Sequence, residues 1–288
     1  DDAYSLGVVY TAAGFWICGY AYQFIENERE QEKYLDKGMD LLEKALTFTR
    51  KAKSKINIVG CLFYIDYFAI FSGRIDYLQK RILNDINECL ELGRIYSMSN
   101  HPQRTMGNII PALYYTNSSQ RRFFTSSQRK SYAEKGIKFA IEVLNGPRIS
   151  PMINAWLYQG LVLAYSQLTI LAESKTKQEK YAQFMLQQAE EAEEFGLQYE
   201  GGFPQAGGYT SLYKAHKTLA DIAIKKEVRI SHLKKAIDAQ KKSINYAMLS
   251  RTGAITEQMR LGLLYEELGI ITREVPDLNQ AREMFLHT

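Results

Sequence analysis

Tyr34-Leu35-Asp36-Lys37-Gly38-Met39-Asp40-Leu41-Leu42-Glu43-Lys44-Ala45-Leu46 is the stretch whose reading decides the fold. A tyrosine opens it. A small residue, Gly38, follows four positions on, and apolar Met39, Leu41 and Leu42 follow at five, seven and eight. Those offsets share one face of an α-helix, while Asp36, Lys37, Asp40, Glu43 and Lys44 fill the other. No run of strand-like alternation occurs anywhere in the chain.

The same frame recurs. Tyr132-Ala133-Glu134-Lys135-Gly136-Ile137-Lys138-Phe139-Ala140 repeats it position by position. Further copies open at Tyr181, His232 and Asp277, and a weak one at Tyr77 carries Arg81 where the small residue belongs. Successive frames lie 43 to 55 residues apart. A more apolar helix is expected before each frame, at 4–26, 55–72, 102–116, 150–173, 209–225 and 253–271. Turn chemistry separates the pairs at Asn145-Gly146-Pro147, in the Gly201–Gly208 stretch and at Arg251-Thr252-Gly253. Within pairs the links are placed at Ser72-Gly73-Arg74, Asn117–Gln128 and Glu173–Lys177, with Ser126 or Ser127 as a helix cap. A lone helical hairpin cannot bury its apolar side, so a period of this length predicts hairpins stacked into a continuous core.

The last pair carries a more specific pattern. Leu261-Gly262-Leu263-Leu264-Tyr265-Glu266-Glu267-Leu268-Gly269 resembles the first helix of a tetratricopeptide repeat, and Ala281 with Phe285 resembles its second. In such a pair Gly262 and Ala281 would admit a close helix crossing, and Tyr265 would wedge between hairpins. Extra residues around Thr272–Pro276 depart from the usual repeat length. Trp156 and Gly160 are similar to the same positions in the fourth hairpin, where Leu163 replaces the tyrosine; Phe15, Gly19 and Tyr22 are similar to them in the first. The second and third hairpins match by helical pattern alone. The long period resembles divergent repeats of the kinesin light chain type and helical sensor regions of bacterial and archaeal regulatory ATPases and cyclases. The resemblance implies an all-α fold: a single α-solenoid over residues 1–288, a right-handed superhelix of about six antiparallel hairpins and roughly twelve helices. It also implies a role in binding a peptide, a protein segment or an adjoining domain of the parent protein on the concave face of the first helices, as a scaffold or sensor region in signalling.

Composition narrows the rest. The chain is 46% hydrophobic and 24% charged, which argues against disorder. A net charge of +4 from 36 basic and 32 acidic residues is too small and too dispersed for a nucleic-acid binder. Three cysteines, an odd number, fit no disulfide framework and point to a reducing, cytoplasmic setting. Cys18, Cys61 and Cys89 sit in apolar helices and read as buried, inert thiols. The apolar run Ile56–Phe71 is short for a membrane span and contains Asp66, so it reads as a buried helix. No export signal follows Asp1-Asp2, and the chain reads as a piece of a longer protein.

Catalytic, metal and cofactor-binding residues are not expected. His101, His216, His232 and His287 are scattered, and no phosphate loop or nucleophile elbow occurs. Ligand-contacting candidates come from positions on the first helices: Tyr20, Tyr64, Tyr67, Tyr114, Tyr158 and Tyr213, with Tyr115 and Tyr165, and the polar Asn108, Asn154, His216 and Arg260. Asp66 needs a structural partner such as a tyrosine hydroxyl, or a wet groove that reads a ligand. Arg121-Arg122-Phe123-Phe124 reads as a solvated loop. One rival signal stands out. Glu200-Gly201-Gly202-Phe203-Pro204-Gln205 resembles turns of helical-toroid enzymes that act on polysaccharides or oligosaccharides, which would imply acid–base roles for Glu200, His216 or Asp221. Two tryptophans are few for gripping sugars, and the binding scaffold is the leading expectation.

Overall fold

The computed structural model describes residues 2–25, 27–71, 84–85, 87–88, 91–92, 102–120, 124–146, 151–198, 202–249 and 254–286; within these, the side chains of Tyr20, Asp66, Tyr67 and Asn108 are among those not described. Eleven helices make up the described chain and no strand occurs in it. They are α1 (Asp2–Phe24), α2 (Glu28–Lys51), α3 (Lys55–Phe71), α4 (Pro102–Ser118), α5 (Ser126–Leu144), α6 (Pro151–Ile170), α7 (Lys175–Leu197), α8 (Gly202–Ile222), α9 (Lys226–Leu249), α10 (Ala254–Thr272) and α11 (Val275–Leu286). The frame at Tyr77, the link Ser72-Gly73-Arg74, Cys89 and Arg121-Arg122-Phe123 lie outside the described residues.

Two compact units result: residues 1–114 with 138–148, and 115–137 with 149–288. In the first, α1 and α2 pack as a pair and α3 lies against both. Their crossing explains the small residue of the frame. A Cβ on Gly38 would overlap the Cys18 thiol and stand 3.0 Å from the Cys18 backbone nitrogen, and one on Gly14 would come within 2.8 Å of the Gly38 carbonyl. Only glycine admits backbones this close. Gly19, expected to be the close-packing glycine of this hairpin, has nothing within 4 Å of its Cβ position. The crossing lies one turn earlier, at Gly14.

In the second unit, α6–α7, α8–α9 and α10–α11 form successive pairs, and α8 packs on both helices of the pair before it. Gly136 meets the Thr116 backbone nitrogen at 2.8 Å from its Cβ position. Ala236 and Ala281 hold the equivalent frame position in α9 and α11 and are buried. In α7 that position is Met185, also buried, with Ala182 and Ala189 beside it on the same face. In the last hairpin the small residue meets a side chain. Phe285 lies 2.8 Å from the Cβ position of Gly262, and Tyr265 is buried in a cluster shared with Ala220, Leu233, Ala236 and Ile237 of the preceding pair.

Local chemistry sets the ends. Asn27 accepts from the Glu30 amide and Ser174 from the Lys177 amide. At α5 the cap is Thr125, one residue before the serines expected to serve: its hydroxyl accepts from the Gln128 amide at 3.2 Å while the Gln128 side chain accepts from the Thr125 amide at 2.9 Å. This reciprocal box uses Thr-x-x-Gln and needs no serine.

One boundary differs more. The first helix of the fifth pair, expected from 209, begins at Gly202, so residues 202–208 form helix and are not an inter-hairpin loop. Gly207 and Gly208 do not break it because neighbours press on them: a Cβ on Gly208 would lie 2.8 Å from the Glu193 Cα. Gly196 is likewise inside α7, which ends on the cap Gln198. The Pro204 carbonyl passes 2.6 Å from the Gly196 Cβ position.

Candidate functional site

With 3.6 residues per turn, the partners of α8 divide its surface into faces. One face meets α6, where Gly207 lies against the Gln159 side chain and Thr218 pairs with Ser166 at 3.1 Å. The next meets α7 through Ala215, Leu212 and Leu219, packed with Met185 and Ala189. A third meets α9 and α10: the Thr210 and Ser243 hydroxyls are 2.9 Å apart, and Tyr213 and Ala220 pack with Leu233 and Leu264. Two strips remain on opposite sides. Lys214 marks the one between α6 and α10, along the first helices. Tyr209, Leu212 and His216 mark the other, between α7 and α9.

The first strip is basic at its centre. Lys214 is half-buried and makes no ion pair or side-chain hydrogen bond among the described residues. Burial chiefly, and then the nearby Arg260 guanidinium on α10, hold its ammonium below the ordinary lysine range, with Asp221 pulling the other way. Beside it the charges are tied. Lys217 pairs with Asp221 and lies 3.1 Å from Glu267 of α10, and Arg229 of α9 reaches the same carboxylate at 2.7 Å. Burial opposes ionisation of Glu267, but hydrogen bonds from Arg229 and Lys217 outweigh it and hold its carboxyl below the usual range.

The second strip opens into a pocket of about 390 Å³ lined by Tyr209, Leu212 and His216 of α8 and by Lys234, Lys235, Asp238, Ala239 and Lys242 of α9. Here two histidines that lie apart in sequence meet. The Nδ1 atoms of His216 and His232 are 3.3 Å apart while the ring centroids are 5.4 Å apart, so the rings meet edge to edge with the nitrogens between them. One imidazole donates Nδ1–H and the other accepts it, a single proton serving both. Burial first, then His232 and Lys235, hold His216 down to about 4. His232 is lowered by burial and Lys235.

This seam is a repeated device. Three second helices set an aromatic frame residue on a ring sixteen or seventeen positions earlier: Tyr132 on Tyr115 at 5.7 Å, Tyr181 on Tyr165 at 6.4 Å, His232 on His216 at 5.4 Å. For Tyr34 of α2 those positions hold Ile17 and Cys18, which have no ring. The histidine pair stands where other hairpins place two tyrosines.

The sequence candidates fall in several places. Tyr213, His216 and Arg260 do not form one site: Arg260 lies near Lys214 on the strip between α8 and α10, Tyr213 is partly spent on the core, and His216 lies across α8 in the pocket against His232. Tyr158 stacks on Phe195 of its own hairpin at 5.4 Å and faces α7 rather than the first-helix strip; burial and then Glu191 and Glu194 raise its phenol. Asn154 is half-buried on α6. In the first unit, Tyr64 is half-buried with its ring 4.8 Å from Phe15, and Tyr114 is buried. Tyr20, Asp66, Tyr67 and Asn108 lie outside the described side chains. The residues that sequence reasoning missed are Lys214, Lys234 and Lys235, together with the partnership of His232. For His232 a signal existed: it opens the frame, and the frame residue meets the first helix.

Among the described residues no group of three or more His, Cys, Asp or Glu is placed to hold a metal, and no helix is long and apolar enough to cross a membrane. Cys18 and Cys61 are buried, and burial raises the Cys61 thiol. No family model and no curated protein sequence matches the chain.

Proposed function

We propose that the chain is a non-catalytic binding region of tetratricopeptide-like repeats, holding a peptide or protein segment along the first helices. The observation that carries this is Lys214. A half-buried ammonium that makes no ion pair among the described residues, with Asp221 only a partial offset and Arg260 of the following first helix close by, is costly in the free protein and gains on meeting an acid group. The favoured segment therefore places an aspartate or glutamate between α8 and α10. Stacked rigid pairs supply a surface that needs little ordering on association. The repeated ring seam and the frame glycines at crossings support the repeat reading, in which the hairpins continue as a right-handed solenoid.

Fluorescence anisotropy with labelled peptides of graded acidic content tests the site. Acidic peptides bind, and Lys214→Ala and Arg260→Ala each weaken them about tenfold or more, in line with charge-assisted contacts. Equal affinity for neutral and acidic peptides, or no response to either change, discards the reading. Small-angle scattering tests the solenoid: an elongated, curved particle is expected, and a near-spherical one rejects it.

A further inference from the structure

The pocket between α8 and α9 is separated from the Lys214 strip by the full width of α8, so peptide binding does not account for it. Its walls divide by chemistry. Tyr209, Leu212, His216 and Ala239 give an apolar and aromatic floor. Lys242 is answered by Asp238 at 3.3 Å, lies over the Tyr209 ring and feels Glu193 of α7, to which the Tyr209 hydroxyl donates. Lys234 and Lys235 line the same pocket, and neither makes an ion pair or side-chain hydrogen bond among the described residues. Two positive charges are thus left over at one edge of a small aromatic cavity.

The space has a cause in the repeat. One hairpin earlier the seam is filled by the phenols of Tyr165 and Tyr181; here two smaller imidazoles take their place. With His216 Nδ1 engaged by His232, its Nε2 is the ring nitrogen left to serve a ligand.

We propose that this pocket binds a small phosphate monoester, its phosphate held by Lys234 and Lys235 and its ring or apolar body lying on Tyr209 and His216. A phosphomonoester carries close to two negative charges at neutral pH, which matches the two unanswered ammoniums, whereas a carboxylate supplies one. The volume is that of a small-molecule site, not of a polypeptide groove.

Isothermal titration of the chain with phenyl phosphate, inorganic phosphate, benzoate and a phosphotyrosine-containing peptide tests the assignment. Phenyl phosphate binds at least tenfold tighter than inorganic phosphate or benzoate, and free phenyl phosphate outdoes the peptide. Lys234→Ala/Lys235→Ala weakens it tenfold or more, while Lys226→Ala, on the first turn of the same helix, leaves it unchanged. His216→Tyr restores the ring found at the equivalent seam, so it keeps the melting temperature within a few degrees and closes the pocket to phenyl phosphate. Benzoate binding as tightly overturns the phosphate assignment, a stronger peptide overturns the small-molecule one, and no binding at millimolar phenyl phosphate overturns the site. Lys214→Ala leaves phenyl phosphate binding intact, so failure here and failure of the peptide reading are read separately.

Discussion

His216 and His232 face each other Nδ1 to Nδ1 at 3.3 Å, and that contact holds only while one of the facing nitrogens carries a proton and the other does not. His216 is held to about 4, against an ordinary 6.5, by burial first and then by His232 and Lys235. Between those values the folded chain binds fewer protons than the unfolded one, so stability is full above pH 6.5 and falls as the pH drops toward 4. After a discount for partial exposure the loss is about 2 kcal/mol. Calorimetry at pH 7.5 and 4.5 on the wild type and on His216→Tyr/His232→Tyr reads it. The wild type loses several degrees more than the tyrosine variant; equal losses would show that the pair does not govern the acid limb.

The frame glycines predict a contrast among substitutions of one kind. Gly136→Val drives a branched side chain into the Thr116 backbone, 2.8 Å from the first Cβ alone, and costs about 3 kcal/mol or more or prevents folding. Gly60→Ala in α3 meets nothing within 4 Å and removes a flexible residue from a helix interior, so it stabilises by about 0.5–1 kcal/mol. Gly262→Ala falls between, because its neighbour is the movable Phe285 ring. Chemical denaturation of the three variants gives the order. A tolerant Gly136 would remove the crossing from the account of the repeat.

How far the sequence carried the structure follows from where the physics is local. The frame from Tyr34 and the motif from Leu261 to Phe285 placed the paired helices because apolar spacing and small crossing residues depend on near neighbours. α8 starts seven residues before the position the sequence predicts, because Gly207 and Gly208 read as a turn; their need for glycine comes from α6 and α7, many residues away. Tyr158 reads from sequence as a residue of the open face for the same reason: only the packing of Phe195 shows which side of α6 it takes. Lys214 was invisible, since one lysine among many looks alike until its burial and the position of Arg260 are known.

Among the described residues, two that are not glycine hold left-handed backbone after helices: Lys53 at φ 55° and Arg273 at φ 64°. Behind α2 the chain closes with Lys53 N–H donating to the Arg50 carbonyl and Ser54 N–H donating to the Thr49 carbonyl, both at 3.0 Å. This is the Schellman pattern, in which the left-handed position favours glycine. Lys53→Gly and Arg273→Gly each relieve that conformation and stabilise by up to about 1 kcal/mol, less the flexibility gained by the unfolded chain. Thermal melts decide; a loss of 1 kcal/mol or more at Lys53 would mean its side chain contributes a contact that outweighs the strain.

Lys214 sets stability against binding at one residue. Its ammonium is half-buried, unpaired among the described residues and beside Arg260, so the folded chain holds a cation that water would solvate better. Methionine keeps the length of the stem and its packing while removing the charge. Lys214→Met is therefore expected to stabilise the chain by about 1 kcal/mol and to weaken acidic peptides about tenfold. Because burial lowers the lysine, the wild type also gains relative stability as the pH rises through its lowered folded value toward 10.5, and the gap to the methionine variant narrows there. Denaturation at pH 7 and pH 10.5, with anisotropy on the same samples, separates the outcomes. If Lys214→Met were less stable than the wild type at pH 7, the ammonium would have a favourable place in the free fold, and the case for an acidic ligand at that strip would be lost.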